Sequence, residues 1–245
     1  MTPSDTNFDT TFDTTFDTRS ILPDDHAGYG DIDDIGELDV LHDREYRVRA
    51  FRLSAERLLI RGAVRDQKPP NLYIAGDEQP LTIHHMQIDL EVAFPSLEIV
   101  AASVRFETHP HGGCPSIVDH YGGLVGLSIA RGFTHKVREL FGGPRGCTHT
   151  TALLQAMAPV AVQCFWSMEA ADAGARSEPA DEQVARDRRR AGWPSNLNTC
   201  HVWATDGELV TTIEAGGEFG APIFIAKRAA ELGLQLDDER LRLNR

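Results

Sequence analysis

The chain has 245 residues, of which 41% are hydrophobic and 25% charged, and its formal net charge is -13. This composition is typical of a globular protein with a sizeable core, and the acidic balance argues against a nucleic-acid partner, because phosphate binding needs clustered Lys and Arg. No apolar run reaches the about 20 residues of a membrane span, and the first residues lack the apolar stretch of a signal peptide. We therefore expect a cytoplasmic protein with a small-molecule substrate and no membrane partner. The oligomeric state stays open.

The first 40 residues carry a short acidic repeat, Asn-Phe-Asp-Thr followed by Thr-Phe-Asp-Thr twice, between Asn7 and Thr18. Such polar, acidic sequence cannot bury enough apolar surface to fold alone, so we predict a largely disordered tail over 1–40. A tail that docks on a partner through its phenylalanines is the alternative. The remaining chain is predicted to form one α+β domain over 41–215, then a peripheral helix and tail over 216–245.

Alternation of apolar and polar residues predicts four strands in the first half of the domain. They cover 45–53, 58–64, 83–94 and 97–106. A loop signal at Lys68–Asn71 and a turn at Pro95-Ser96 separate the later strands. Consecutive strands joined in this way form an antiparallel meander sheet.

Helical patterns follow the sheet. They predict helices at Ile117–Tyr121, Leu124–Ala130, His135–Phe141 and from Thr148 to about Ala171. The last is the longest and most buried, and Pro159 is expected to kink or split it. The fold class is therefore α+β, a meander sheet packed against helices.

The end of the chain shows three further patterns. Glu178–Arg190 is highly charged and is interpreted as a solvated helix or linker. Two apolar segments, Cys200–Ala204 and Glu208–Ile213, flank Thr205-Asp206-Gly207 and predict a late hairpin. Pro222–Leu232 is typical of a helix.

The segment Gly142–His149 carries the strongest chemical signal. Cys147 and His149 follow a Gly-rich turn at the predicted start of the long helix. A thiol at a helix N-terminus has a lowered pKa, because the helix dipole and unpaired N–H groups favour the thiolate. We therefore predict catalytic roles for Cys147 and His149, as a metal ligand or as a nucleophile with its base. The two side chains can face each other only if the helix begins at or after Thr148.

Other ligand-type residues lie upstream. His109, His111 and Cys114 occur within six residues around two glycines, in a loop able to wrap a cation. His84 shares the predicted core-facing side of its strand, whereas His85 is expected to point outward. Cys164 is expected to be a core residue, and Cys200-His201 either reaches the site or packs. In a cytoplasmic protein the four cysteines are expected to be reduced.

These motifs resemble those of an uncharacterised bacterial domain family. Its hallmarks appear here as Ile83-His84-His85-Met86, the lone Cys114, and Gly146-Cys147-Thr148-His149, within roughly 44–207. The third position of the first motif is often Asp in the family and is His85 here. The resemblance implies that His84, Cys114, Cys147 and His149 belong to one site.

A more distant similarity connects the chain to the U-type iron–sulfur cluster scaffolds. In those proteins a hairpin, a Gly-Cys, two helices and a second Cys opening a long helix follow one another, as they do here between Ile99 and Ala161. The similarity implies that Cys114 and Cys147 match scaffold cysteines that bind zinc or a cluster. The first scaffold cysteine has no counterpart, since Thr82 occupies about that position.

Three functions remain open from the sequence. The first is a small-molecule metalloenzyme of hydrolase or lyase type, with zinc or iron held by His84, Cys114, Cys147 and His149. The second is an iron–sulfur or sulfur scaffold that turns nothing over. The third is a structural zinc site in a protein of some other function. A metal-free variant of the first, with Cys147 as nucleophile and His149 or His84 as base, is also open.

Overall fold

The computed structural model describes residues 39–130, 132–175, 196–217 and 221–235. The predicted acidic tail over 1–40 lies outside the described residues except for 39 and 40. The charged segment Glu178–Arg190 lies outside them entirely. Chain contacts divide the protein into two units, Met1–Phe165 and Trp166–Arg245. None of the helices in the described ranges has the length and apolar character needed to cross a membrane.

The sheet is a four-stranded antiparallel meander in the order β1-β2-β3-β4, as the sequence predicts. Its strands are β1 Asp43–Arg52, β2 Arg57–Lys68, β3 Leu81–Ala93 and β4 Ile99–Thr108. β2 extends four residues beyond its predicted end at Val64. The added residues are polar, and they pair with residues of β3. The extension brings Asp66 into the sheet, opposite His84 of β3.

One face of the sheet forms the core. Ile60, Val64, Met86, Ile88 and Leu90 are at most 1% exposed. They belong to cross-strand rows, such as Val64 beside Met86, and such pairs are the stabilising unit of a sheet. The row Arg44–Asp66–His84 is the continuation of this face at the end of the sheet.

The helices that directly follow the sheet begin in the first unit. A 3-10 segment covers Cys114–Leu124, then come α1 Phe133–Phe141, a 3-10 turn at Gly143–Arg145 and α2 Thr148–Ala175. α2 passes so close to β2 that a Cβ on Gly62 would lie 2.7 Å from the sulfur of Met157. Glycine at this position therefore permits the close approach of helix and strand.

Most helix predictions are confirmed. α1 begins near the predicted residue, and α2 runs from Thr148 as expected, continuing through Pro159 without a break. The predicted helix over Leu124–Ala130 is wrong. This segment runs along the edge of β4 instead, with a bridge between Glu98 and Ser128, and its backbone bonds to that of Ile99.

In the second unit the predicted late hairpin is wrong. His201–Trp203 is a 3-10 turn, and α3 covers Glu208–Glu214. Val210 and Ile213 are its buried residues, and their spacing of three is helical, although the turn signal before them predicted a strand. The predicted C-terminal helix is confirmed as α4, Ile223–Glu231.

Candidate functional site

The site lies where the row Arg44–Asp66–His84 meets the first turn of α2. Asp66 is 1% exposed and accepts hydrogen bonds on both carboxylate oxygens. Arg44 binds it in a two-pronged manner, with Nη2 2.7 Å from Oδ2 and Nε on Oδ1. His84 Nδ1 donates to Oδ2 at 3.0 Å. His149 Nε2 also lies 3.0 Å from Oδ2, so one oxygen serves residues from three elements.

His149 connects this carboxylate to the thiol of Cys147. Its Nδ1 lies 3.6 Å from Cys147 Sγ, while Nε2 faces Asp66. The Thr151 amide donates to the Cys147 carbonyl, so Cys147 is the capping residue before the first turn of α2. The helix therefore begins at Thr148, as a contact between Cys147 and His149 requires. A cysteine, a histidine and a buried carboxylate form a continuous chain of contacts.

The imidazole of His149 is also held by stacking. The rings of His84 and His149 lie 3.9 Å apart with an interplanar angle of 29°. The histidines share Asp66 Oδ2 as acceptor, so both rings are fixed in position and rotation. Burial and the charge of His149 lower the pKa of His84, and His84 is therefore the neutral member of the pair.

Hydrogen bonds to the pair shift both protonation equilibria. Burial raises the pKa of the Cys147 thiol, but hydrogen bonds with His149 and with the Thr150 backbone outweigh burial and lower it to about 7. Hydrogen bonds with Asp66 and Cys147 raise the pKa of His149 to about 9. Between these values the pair is a thiolate and an imidazolium.

The carboxylate keeps its charge throughout this range. Burial raises the pKa of Asp66, but hydrogen bonds from Arg44 and His149 outweigh burial and hold the pKa well below its usual value. A charge-assisted pair of this kind is shorter and stronger than a neutral hydrogen bond. Asp66 therefore fixes the Nε2–H tautomer of His149 and leaves Nδ1 to exchange protons at the thiol.

Tyr121 holds the backbone of Cys147 in place. The Cys147 amide donates to Tyr121 Oη at 2.8 Å, and the phenol ring stacks on Phe141 with centroids 4.7 Å apart. Burial raises the pKa of Tyr121, so the phenol is neutral. The Gly-rich turn serves the same purpose, because a Cβ at Gly146 would collide with the Phe141 carbonyl.

The structure brings together three of the four predicted site residues. His84 and His149 contact Asp66, and Cys147 contacts His149. Cys114 lies half-buried at the start of the 3-10 segment. In the part of the chain that the structure describes, the group of ligand-type side chains within 4.8 Å of one another is Asp66, His84 and His149, and Cys114 is outside it. The predicted metal set with Cys114 stays a prediction.

The other ligand-type residues have separate surroundings. His109 bonds through Nδ1 to the carbonyl of His111, within their own loop. His85 lies on the opposite face of β3, as alternation requires, but it is 9% exposed, so the expectation that it points outward is wrong. Cys164 is buried as expected, and Cys200 is exposed at the start of a 3-10 turn in the second unit.

Sequence reasoning missed Asp66, Arg44 and Tyr121. Asp66 lay beyond the predicted end of β2, in a polar stretch that gives no strand signal of its own. Extending the apolar register of β2 against β3 by one further row would have placed Asp66 opposite His84. No local pattern indicates Tyr121, because its role depends on a contact between distant segments.

Comparison with known proteins supplies a family and no activity. No curated protein and no solved structure matches the chain. The similarity to the iron–sulfur scaffolds therefore stays a prediction. The profile of one family, described as protein of unknown function (DUF2889), matches residues 42–163, a range that contains every residue of the site. Over these residues the chain belongs to DUF2889, an uncharacterised domain family.

Proposed function

We propose that the chain is a thiol-dependent enzyme that transfers or hydrolyses acyl groups, with Cys147 as nucleophile, His149 as acid and base, and Asp66 as the residue that positions His149. The observation that carries this proposal is the chain of contacts from Sγ to Nδ1 at 3.6 Å and from Nε2 to Oδ2 at 3.0 Å. Nucleophile, base and orienting carboxylate in this geometry are the parts that covalent acyl transfer requires.

The first half of the reaction forms an acyl-enzyme. The Cys147 thiolate attacks the carbonyl carbon of an ester or thioester, and a carbon–sulfur bond forms. As the tetrahedral intermediate collapses, the bond to the leaving alcohol or thiol breaks, and His149 Nδ1 gives the leaving group its proton. The N–H groups at the start of α2, which stabilise the thiolate, are suited to stabilise the developing oxyanion as well.

The second half restores the thiolate. Neutral His149, held by Asp66 as the Nε2–H tautomer, takes a proton from water through Nδ1. The resulting hydroxide attacks the acyl carbon, the carbon–sulfur bond breaks, and a carboxylic acid product leaves. Cys147 returns as thiolate beside imidazolium. In both halves of the reaction His149 exchanges protons through Nδ1, while Nε2 stays on the Asp66 carboxylate.

The proposal is tested with p-nitrophenyl acetate and an acyl thioester on chelator-treated protein. We expect a burst of product, an acetyl adduct on Cys147 in a peptide digest made after acid quenching, and loss of both in Cys147→Ser. The matched control is Cys114→Ser, a second half-buried thiol in the same unit. Hydrolysis that persists in Cys147→Ser, or an adduct on another cysteine, would contradict the proposal.

A metal-dependent reaction is the second candidate, and one observation supports it. Asp66, His84 and His149 present a carboxylate oxygen and two imidazole nitrogens within 4.8 Å of one another. A cation there would polarise a substrate carbonyl or activate water. Activity that requires added metal and survives Cys147→Ser would favour this candidate over thiol catalysis.

A further inference from the structure

We propose that Asp66, His84 and His149 form a site for a divalent transition-metal ion, best matched by Zn²⁺, and that a bound ion switches off the thiol chemistry of Cys147. The site stands on its own geometry. The switching rests on the proposed function, because it concerns the same His149. The ion in this arrangement is an inhibitor of the thiol enzyme.

The donor atoms already have nearly the spacing that a tetrahedral ion requires. His84 Nδ1 and His149 Nε2 each lie 3.0 Å from Asp66 Oδ2. Ligand atoms about 2.0–2.1 Å from a tetrahedral ion lie about 3.3 Å from each other, so each nitrogen would move a few tenths of an ångström away from Oδ2. The two nitrogens lie within 4.8 Å of each other, which leaves room for an ion between them. Two imidazoles and one carboxylate are preferred zinc ligands, and such a set leaves a fourth position for water.

The surroundings hold these donors rigidly. Asp66 and His84 belong to one cross-strand row, and the stacked rings fix His149 against His84. Arg44 binds both carboxylate oxygens, with Nε on Oδ1 and Nη2 2.7 Å from Oδ2, and so fixes the plane of the carboxylate. Oδ2, which both histidines face, keeps a second lone pair for an ion. Partners that orient the ligand groups in this way are a regular part of protein metal sites. The imidazoles are 18% and 16% exposed, so an ion has an approach from solvent.

The thiol lies on the other side of the imidazole. Cys147 Sγ faces Nδ1 of His149, whereas the cation site uses Nε2. The two nitrogens of one ring point in opposite directions, so Cys147 is not a ligand in this geometry. The ligand set therefore differs from one based on cysteine.

Occupation of Nε2 explains the switch. An ion on Nε2 and Oδ2 would take the place of the 3.0 Å contact between His149 and Asp66. The carboxylate that positions His149 for the thiol would then be a metal ligand, and the ring would be held by the ion. His149 would therefore lose the partner on which its acid and base role depends, and general acid–base catalysis contributes about 100-fold or more to such reactions.

The test uses the full chain after dialysis against a chelator. Zn²⁺ binding is measured by competition with a chromophoric chelator, for the wild type and for His84→Gln, Cys114→Ser and Cys147→Ser. We expect one ion per chain in the wild type and in both cysteine variants, and at least about 100-fold weaker binding in His84→Gln. Thermal unfolding shows whether each variant is folded, and Co²⁺ substitution should give a spectrum without a sulfur-to-cobalt charge-transfer band.

The switch is read from thiol turnover in the same samples. One equivalent of Zn²⁺ should lower the hydrolysis rate at least about tenfold in the wild type and not in His84→Gln, with recovery on chelation. Absence of stoichiometric binding, or a sulfur charge-transfer band, would overturn the site. Binding with unchanged turnover would overturn the switch alone. Should no variant or wild type hydrolyse any ester, the proposed function fails while the binding data still decide the site.

Discussion

His149 Nδ1 lies 3.6 Å from Cys147 Sγ, although side chains two positions apart within a helix point in different directions. The contact is possible because α2 begins at Thr148, so that Cys147 precedes the helix and has its own backbone direction. The first turn of α2 thus supplies the histidine, and the residue before it supplies the thiol. A short sequence motif contains both because a helix boundary falls between them.

We expect iodoacetamide to modify Cys147 before the other three cysteines at pH 7. About half of this thiol is ionised there, since its pKa is about 7, and the thiolate is the reactive form. The alkylation rate, followed by peptide mass spectrometry in the presence of a chelator, should rise with a midpoint near pH 7. A midpoint near the ordinary thiol value, or faster modification of exposed Cys200, would show that the contact with His149 does not lower the pKa.

Asp66→Asn should reduce thiol turnover by about 100-fold, because an amide does not fix the Nε2–H tautomer of His149 or stabilise its cation. It should also lower the free energy of unfolding by about 2 kcal/mol, as charge-assisted hydrogen bonds to Arg44 and His149 are lost. Asp119→Asn, in the exposed part of the 3-10 segment, is the control. Full turnover in Asp66→Asn would exclude a positioning role for the carboxylate.

Cys147→Ala should make stability depend on pH between about 6.5 and 9. The raised pKa of His149 contributes stability that is fully present below about pH 6.5 and is lost as pH rises through about 9. The lowered pKa of Cys147 contributes stability that appears as pH rises above about 7, so the two effects largely cancel in the wild type.

Urea unfolding at pH 6 and pH 9 measures this difference. We expect near-equal free energies of unfolding for the wild type and a fall of about 1–2 kcal/mol at the higher pH for Cys147→Ala. A parallel pH dependence in the two proteins would mean that the thiolate and imidazolium are not paired in the native state.

Gly62→Val should destabilise the first unit by about 2–3 kcal/mol, because its side chain would enter space that Met157 and Leu153 of α2 occupy. Gly62→Ala should cost less, since the Met157 thioether is flexible and can move. Thermal or chemical denaturation shows which of the two variants is the less stable. Equal stability of Gly62→Val and the wild type would mean that α2 does not pack against β2 at this position.

Gly146→Ala should slow the alkylation of Cys147 and lower the free energy of unfolding by about 1–2 kcal/mol. The new Cβ would collide with the backbone carbonyl of Phe141, so the turn that positions the thiol must shift. Gly113→Ala is a matched control, because its Cβ meets no atom within 4 Å. Similar thiol reactivity in the two variants would argue against a positioning role of the turn.

The sequence predicts the sheet well because its signal is local. Met86, Ile88 and Leu90 alternate with polar residues, and this period-2 pattern places His84 on the core-facing side together with them. The start of α2 directly after the Gly-rich turn was likewise predictable, since glycines, a thiol and a long apolar run follow one another in the sequence.

The carboxylate of the site was not predictable in the same way. Asp66 follows Arg65 and precedes Gln67, a polar context that gives no sign of burial, and yet it is 1% exposed. Its burial depends on Arg44, His84 and His149, which come from three other elements. The late hairpin was predicted from the turn residues Thr205-Asp206-Gly207. The structure has α3 after that turn, with Val210 and Ile213 buried at helical spacing.

The row Arg44–Asp66–His84 continues the core-facing side of the sheet, and it meets α2, the helix that packs against β2 at Gly62. Separation of β1, β2, β3 or α2 from the others would part this row from His149 or break the row itself. Loss of thiol reactivity and loss of the fold should therefore follow one and the same denaturant transition, with no populated state that has lost one and kept the other. The rate at which Cys147 is alkylated therefore reports which fraction of the first unit is native.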